Sequence, residues 1–112
     1  MSESREPRPG ALFVDTKRAR DEATVTVAGE LDVSNAEALD RAIRDAEESD
    51  ARRIVIDMRE LAFIDSTGLS VLLSARRRLD DRRLRFVASK HDPVIRVIAL
   101  TDTGDAMGLR SD

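Results

Sequence analysis

The stretch Ile64-Asp65-Ser66-Thr67-Gly68-Leu69 marks the point where an apolar strand stops and an apolar-striped helix begins. The first N–H groups of a helix have no partner inside it, and a short oxygen-bearing side chain just ahead of them supplies one. Asp65 has that position. Ser66 and Thr67 follow in the open first turn, where a hydroxyl is exposed and accessible to modification. Alone, such a segment is an ordinary helix start. Its meaning depends on its surroundings.

Upstream, Ile54-Val55-Ile56 is an unbroken β-branched run, the pattern of a strand covered on both faces. Arg59 to Ile64 reads as a short link from that strand to the helix. Downstream, Leu69, Leu72, Leu73 and Leu79 form the inward stripe of the helix, and Arg76, Arg77 and Arg78 close it, complementing the macrodipole. Leu84 to Ala88 is a further strand. Asp92-Pro93 then opens a last helix, with Asp as N-cap, Pro in the first turn, and Val94, Val97 and Ile98 facing inward. Gly104 and Gly108 make the tail irregular.

Towards the N-terminus, Leu12-Phe13-Val14 and Ala23 to Ala28 read as two strands, the second alternating Val25 and Val27 against Thr24 and Thr26. Thr16 to Glu22 is a charged connection short enough for an antiparallel pair, and Gly29-Glu30-Leu31-Asp32 reads as a closing turn. Ser34 and Glu37 have the spacing of a capping box. The helix it opens carries Ala36, Leu39, Ala42, Ile43 and Ala46 on one face, with Glu37, Asp40, Arg41, Arg44 and Glu47 towards water. The order is therefore β-β-α-β-α-β-α. Strands separated by helices run parallel. The expected fold is α/β: one domain with a mixed, mostly parallel sheet, an antiparallel N-terminal edge and packed helices. Asp65-Ser66 falls at the strand-to-helix edge, where such sheets bind ligands. Residues 1–10, with Pro7, Pro9 and Gly10, read as a disordered arm, and the domain as residues 11–112.

Composition narrows the chemistry. The 112 residues support a single core, and 22 acidic against 19 basic residues give a net charge of −3 without a dominant sign. With no cysteine and one histidine, no metal site or cofactor is expected. No apolar run approaches the roughly 18–20 residues of a membrane span, and no signal core is visible, so the expectation is cytoplasmic with no membrane partner. Ser66, His91 and a carboxylate supply the residue types of a hydrolytic triad, but there is no G-x-S-x-G elbow. Asp65 beside the nucleophile would also oppose oxyanion development, so no catalytic residue is expected. Arg76-Arg77-Arg78 and Arg82-Arg83-Leu84-Arg85 raise nucleic-acid binding. Asp80 and Asp81 interrupt that run, and three phenylalanines without Trp or Tyr leave little for base stacking. No direct nucleic-acid partner is expected. His91 reads as a solvated loop residue, and Asp32 reads equally as a turn residue or a site residue.

Gly29-Glu30-Leu31-Asp32 before a helix, Ile54-Val55-Ile56-Asp57, and Phe63-Ile64-Asp65-Ser66-Thr67-Gly68-Leu69 together resemble the STAS family. Within it, the chain is most similar to the anti-sigma factor antagonists, from about Leu12 to about Leu100. The resemblance implies a non-catalytic partner switch. The unphosphorylated form would bind and sequester an anti-sigma factor that is itself a serine kinase, releasing a sigma factor for transcription. Phosphorylation at Ser66 would switch binding off, and a metal-dependent serine phosphatase would restore it. The partner-binding residues implied are Asp32, Asp65, Ser66, Thr67, Gly68 and Leu69. The same resemblance admits a STAS module serving as a non-catalytic scaffold in a stressosome-like or lipid-transport complex. Thr67 and Ser70 stand where relatives often carry Ser and Gly, and Thr101-Asp102-Thr103-Gly104 departs from the usual L-T-G-L-like pattern.

Overall fold

The computed structural model describes residues 11–100. The arm expected at residues 1–10 and the tail beyond Leu100 lie outside the described residues. Eight elements follow one another: β1 (Leu12–Ala19), β2 (Glu22–Leu31), α1 (Ala36–Glu48), β3 (Arg53–Asp57), β4 (Leu61–Ile64), α2 (Ser66–Arg78), β5 (Leu84–Val87) and α3 (Asp92–Leu100). The mixed α/β class is as expected, with one strand more than the sequence suggested. β4 occupies the stretch expected to be a link.

β1 and β2 pair antiparallel from Leu12↔Gly29 to Ala19↔Glu22, so the hairpin turns on Arg20 and Asp21 alone. The charged stretch from Thr16 onward is therefore strand rather than connection. Arg20 adopts the left-handed conformation (φ 56°) that a two-residue hairpin turn demands. All other pairings are parallel: β2 with β3, β2 with β4, and β3 with β5. β2 is the hub. Its first half, Glu22–Thr26, pairs with β3, and its last residues, Gly29–Leu31, pair with β4 across a register shift.

Gly29 thus lies inside a strand, beside the register shift at which Ala62 of β4 is the extra residue, and is not the start of a turn. Its φ of +99° suits glycine alone, and a Cβ there would lie 2.4 Å from the Ala11 carbonyl oxygen. That close approach lets Ala11 accept from the Glu30 N–H at 3.0 Å while the Gly29 N–H turns to the Glu60 carbonyl at 3.2 Å.

One face of the sheet is covered. Ala23, Val25 and Val27 of β2 lie level with Ile54 and Ile56 of β3 and Leu84 and Phe86 of β5, and all are buried. The stripe of α1 (Leu39, Ile43, Ala46), Leu69, Leu72 and Ala75 of α2, and Val94 and Ile98 of α3 complete a single core. The alternate residues Thr24, Thr26, Val55, Asp57 and Val87 are only half-buried, and Arg85 is exposed. The β-branched triplet Ile54-Val55-Ile56 is therefore covered fully on one side, because the three helices share a core on that side. Leu73 and Leu79 sit at the margin of the core, half-buried.

Three of the six arginines suspected of reaching for nucleic acid are engaged within the fold. Arg78 grips the Glu47 carboxylate at 2.6–3.1 Å, joining α2 to α1. Arg83 donates to the Glu47 carbonyl at 2.7 Å, serving the end of α1, whose last turn has no basic residue of its own. Arg76 pairs with Asp81, donates to the Leu84 carbonyl at 2.8 Å and lies 5.5 Å from the Phe86 ring centre.

On the open face, Thr26, Asp57, Arg59, Glu60 and Lys90 line a depression. Its charges pair with one another: Arg59 with Asp57 at 2.8 Å, Lys90 with Glu60 at 2.7 Å, and His91 3.5 Å from Glu60. His91 is accordingly a half-exposed neighbour of a carboxylate. The Arg59 guanidinium, by hydrogen bonds and charge, holds the Asp57 carboxyl below its ordinary range. A depressed carboxyl stabilises the fold above the unfolded-chain value of about 4 and loses that contribution as pH falls through the folded value. Arg59 is two-thirds exposed, so solvent screens the pair and its contribution is small. Thermal melts should show Asp57→Asn less stable than the wild type near neutral pH, with the two curves converging in acid. A constant offset across pH would exclude the pair as the cause.

Candidate functional site

The site is assembled by two segments that leave the same end of the sheet, the loop after β2 and the start of α2. Parallel strands deliver their C-terminal ends to one edge, and Leu31↔Ile64 is the last register pair before both segments depart. The Asp65 N–H donates to the Leu31 carbonyl at 3.2 Å, extending the ladder by one more bond.

Asp65 caps α2 as its sequence position implies. It has extended backbone (φ −108°, ψ −176°), its Oδ1 accepts from the Gly68 N–H at 2.9 Å, and its carbonyl accepts from the Leu69 N–H at 2.9 Å. Its Oδ2 reaches across the gap and accepts from the Val33 N–H at 3.1 Å. One half-buried carboxylate thus joins both segments.

Ser66 is the first residue of α2 and is exposed, as are Thr67 and Ser70. No protein group among the described residues hydrogen-bonds the Ser66 or Thr67 hydroxyl. No acidic residue occupies the first turn of α2, so the positive end of its dipole is offset only by the Asp65 cap.

Gly68 and Leu69 lie beneath this surface. Leu69 is 6% exposed and belongs to the core. A Cβ on Gly68 would come within 2.6 Å of Leu31 Cγ and 3.1 Å of Ile64 Cγ1. Their part is to let the helix start sit down on the ends of β2 and β4, not to offer side chains at the surface.

Asp32 is half-buried and organises the loop. Its Oδ1 accepts from the Ser34 N–H at 2.9 Å and the Ser34 hydroxyl at 2.5 Å, and its carbonyl accepts from the Ala36 N–H at 2.8 Å. Asn35 adds two bonds, accepting from the Asp32 N–H and donating to the Glu30 carbonyl, each at 2.9 Å. The capping box expected from Ser34 and Glu37 does not form. Helix α1 starts at Ala36 behind Asn35, no side chain caps it, and the Ser34 hydroxyl is committed to Asp32.

Two residues escaped the sequence reading. Val33 is 73% exposed at the tip of the loop, an isolated apolar side chain inside a polar turn. Ser89, buried at 6%, donates to the Leu61 carbonyl at 2.7 Å and accepts from the His91 N–H at 2.9 Å, fixing the approach to α3. His91 thereby becomes the residue ahead of the helix, its carbonyl accepting from Val94 and Ile95, and Asp92 is the first helical residue. Only the isolation of Val33 among Asp, Ser and Asn was a usable signal.

Among the described residues, no group of three or more His, Asp or Glu side chains is disposed to hold a metal, and no helix is long and apolar enough to cross a membrane.

A one-faced mixed sheet that lifts a capped, hydroxyl-bearing helix start to its edge is the arrangement of a STAS domain. Residues 14–111 match the STAS domain family, and the chain belongs to it. It is 27% identical over 96 residues to the anti-sigma-B factor antagonist of Listeria monocytogenes, covering 85% of this chain and 84% of that protein. An anti-sigma factor antagonist from Mycobacterium paratuberculosis shares the fold with a TM-score of 0.81 at 24% identity, over 91% of this chain and 87% of that one. So does the anti-sigma factor antagonist SpoIIAA in its unphosphorylated form, with a TM-score of 0.69 at 22% identity over 85% of each chain. The Bacillus SpoIIAA structure in the phosphorylated form gives 0.61 at 23% identity, over 85% of this chain and 88% of that one. These relatives are named for opposing anti-sigma factors, a regulatory role.

The tight seat of Gly68 makes a direct prediction. Gly68→Ala should lower stability by roughly 1–3 kcal/mol, the usual cost of overpacking, as a shift in the urea midpoint at unchanged slope. An unmoved midpoint would mean that Leu31 yields freely.

Proposed function

We propose that this chain is an anti-sigma factor antagonist whose unphosphorylated form binds and sequesters an anti-sigma factor with serine-kinase activity, freeing a sigma factor, and that phosphorylation of Ser66 ends the interaction. The observation that carries this reading is the exposed Ser66 hydroxyl at the open start of α2, on a chain of the STAS family whose relatives are named anti-sigma factor antagonists. A metal-dependent serine phosphatase would return the protein to its binding form, and the cycle belongs in the cytoplasm, where sigma factors act.

The chemistry suits the place. Transfer of the ATP γ-phosphoryl group to the Ser66 oxygen, with loss of the hydroxyl proton, adds roughly 1.5 to 2 negative charges at neutral pH. Free N–H groups and the helix dipole accommodate an anion at this end, so α2 stays folded despite the neighbouring Asp65. Binding suffers instead, because a charged group replaces a hydroxyl that the partner buries. A hundredfold loss requires about 2.7 kcal/mol, within the cost of burying one unpaired charge. Thr67, exposed one residue along, serves as a first-turn residue at the rim of the same surface, with Asp32 and Asp65 behind it.

The test pairs mass spectrometry with calorimetry, using purified anti-sigma factor kinases from the same genome. Intact mass should rise by one phosphoryl group with ATP and not at all for Ser66→Ala. Ser66→Ala should remain bound in the presence of ATP, and Ser66→Asp should bind at least tenfold more weakly. Equal affinities for the two variants would refute the switch. Stable co-purification with a large multi-subunit scaffold, unaffected by either variant, would favour a stressosome-like module.

A further inference from the structure

We propose that Asp65 is a positioning residue which fixes Val33 beside Ser66, making Val33 an apolar anchor for the anti-sigma factor. This inference rests on the function proposed above. Three observations lead to it. Val33 is the most exposed large apolar residue of the described chain, at 73%, although its loop is otherwise polar and internally bonded. Its N–H is held by Asp65 Oδ2 at 3.1 Å while Oδ1 of the same carboxylate caps Gly68 at 2.9 Å. Ser66 is the next residue after Asp65, so the loop tip and the switch hydroxyl are tied together through that carboxylate.

A helix N-cap needs one acceptor oxygen. Asp65 uses two, on different segments. The second bond does nothing for α2; it sets where Val33 stands. An exposed apolar side chain on a fixed backbone is an inexpensive contact, because its ordering is complete before the partner arrives. Such side chains become interface anchors when the partner provides a desolvated pocket, with polar groups around the rim excluding water. The neighbours along the two joined segments, Asp32 and Ser34 on either side of Val33 and Ser66 and Thr67 after Asp65, all bear acceptor oxygens. The surface therefore fits a partner that offers a small apolar pocket flanked by donor groups, such as backbone N–H, Arg or Lys.

Asp65→Asn separates the two bonds. The Asn oxygen still caps Gly68, but an amide NH2 now faces the Val33 N–H, donor against donor. The expected results concern unphosphorylated protein and the anti-sigma factor kinase identified by Ser66 phosphorylation. Val33→Ala should weaken binding about tenfold, the worth of two buried methyl groups, with no change in thermal stability. Asp65→Asn should weaken binding by a similar factor and speed amide hydrogen exchange at Val33 while leaving Gly68 protected. In the double variant the losses should not multiply, because Asp65 acts through Val33.

Asp65→Ser, which keeps a capping oxygen and lacks the second one, repeats the measurement if the Asn variant folds poorly. Unchanged affinity for Val33→Ala overturns the anchor. Losses that multiply fully in the double variant overturn the positioning role. Either result, with Ser66→Asp still weakened, leaves the switch standing. Absence of phosphorylation at Ser66 with equal binding by Ser66→Ala and Ser66→Asp removes the switch itself.

Discussion

Everything at the sheet edge depends on how closely α2 can approach the ends of β2 and β4. The approach is possible because position 68 has no side chain. Leu31 and Ile64 fill the space a Cβ would need, and Asp65 then lies near enough to bond the loop beyond β2. Raising the helix start by an ångström would stretch this 3.1 Å bond, and the 3.2 Å bond from the Asp65 N–H to the Leu31 carbonyl, beyond hydrogen-bonding range. The core packing of Leu69 and Leu72, the cap and the loop geometry are therefore not separate achievements. They follow from one steric condition.

A second condition governs β2. This strand must follow β3 along its first half and β4 at its end, and the two partners are out of register. Gly29 stands at the register shift, with Ala62 the extra residue of β4, and uses a backbone conformation open to glycine and a gap already filled by the Ala11 carbonyl. What reads in the sequence as a turn is a change of partner within one strand. Glycine looks the same in both roles, and only the pairing distinguishes them.

The parts legible in the sequence are those where a single local rule decides. The stripe of α1, the alternation of Val25 and Val27, and the Asp65 cap each come from a period or a capping preference, and each stands where expected. The hairpin's far half was hidden because Asp15 to Ala19 has few apolar residues to alternate. β4 was hidden because four residues, Leu61 to Ile64, are too short to display a period. The capping box failed through competition: Asp32 holds the Ser34 hydroxyl, and Asn35 turns back to Glu30 and Asp32. Of the site, the exposure of Ser66 followed from helix geometry. The link from Asp65 to Val33 joins residues 32 positions apart, and no local rule reports such a bond.

The sheet's uncovered face has an experimental use. Arg85 lies exposed there in the middle of β5, its side chain on the opposite side from the helices, while Ser66 opens a helix on the covered side. The chain contains no cysteine, so an introduced thiol would be the sole attachment point for a maleimide dye. A fluorophore carried at that position would watch partner exchange in real time from the back of the molecule, without intruding on the surface it observes.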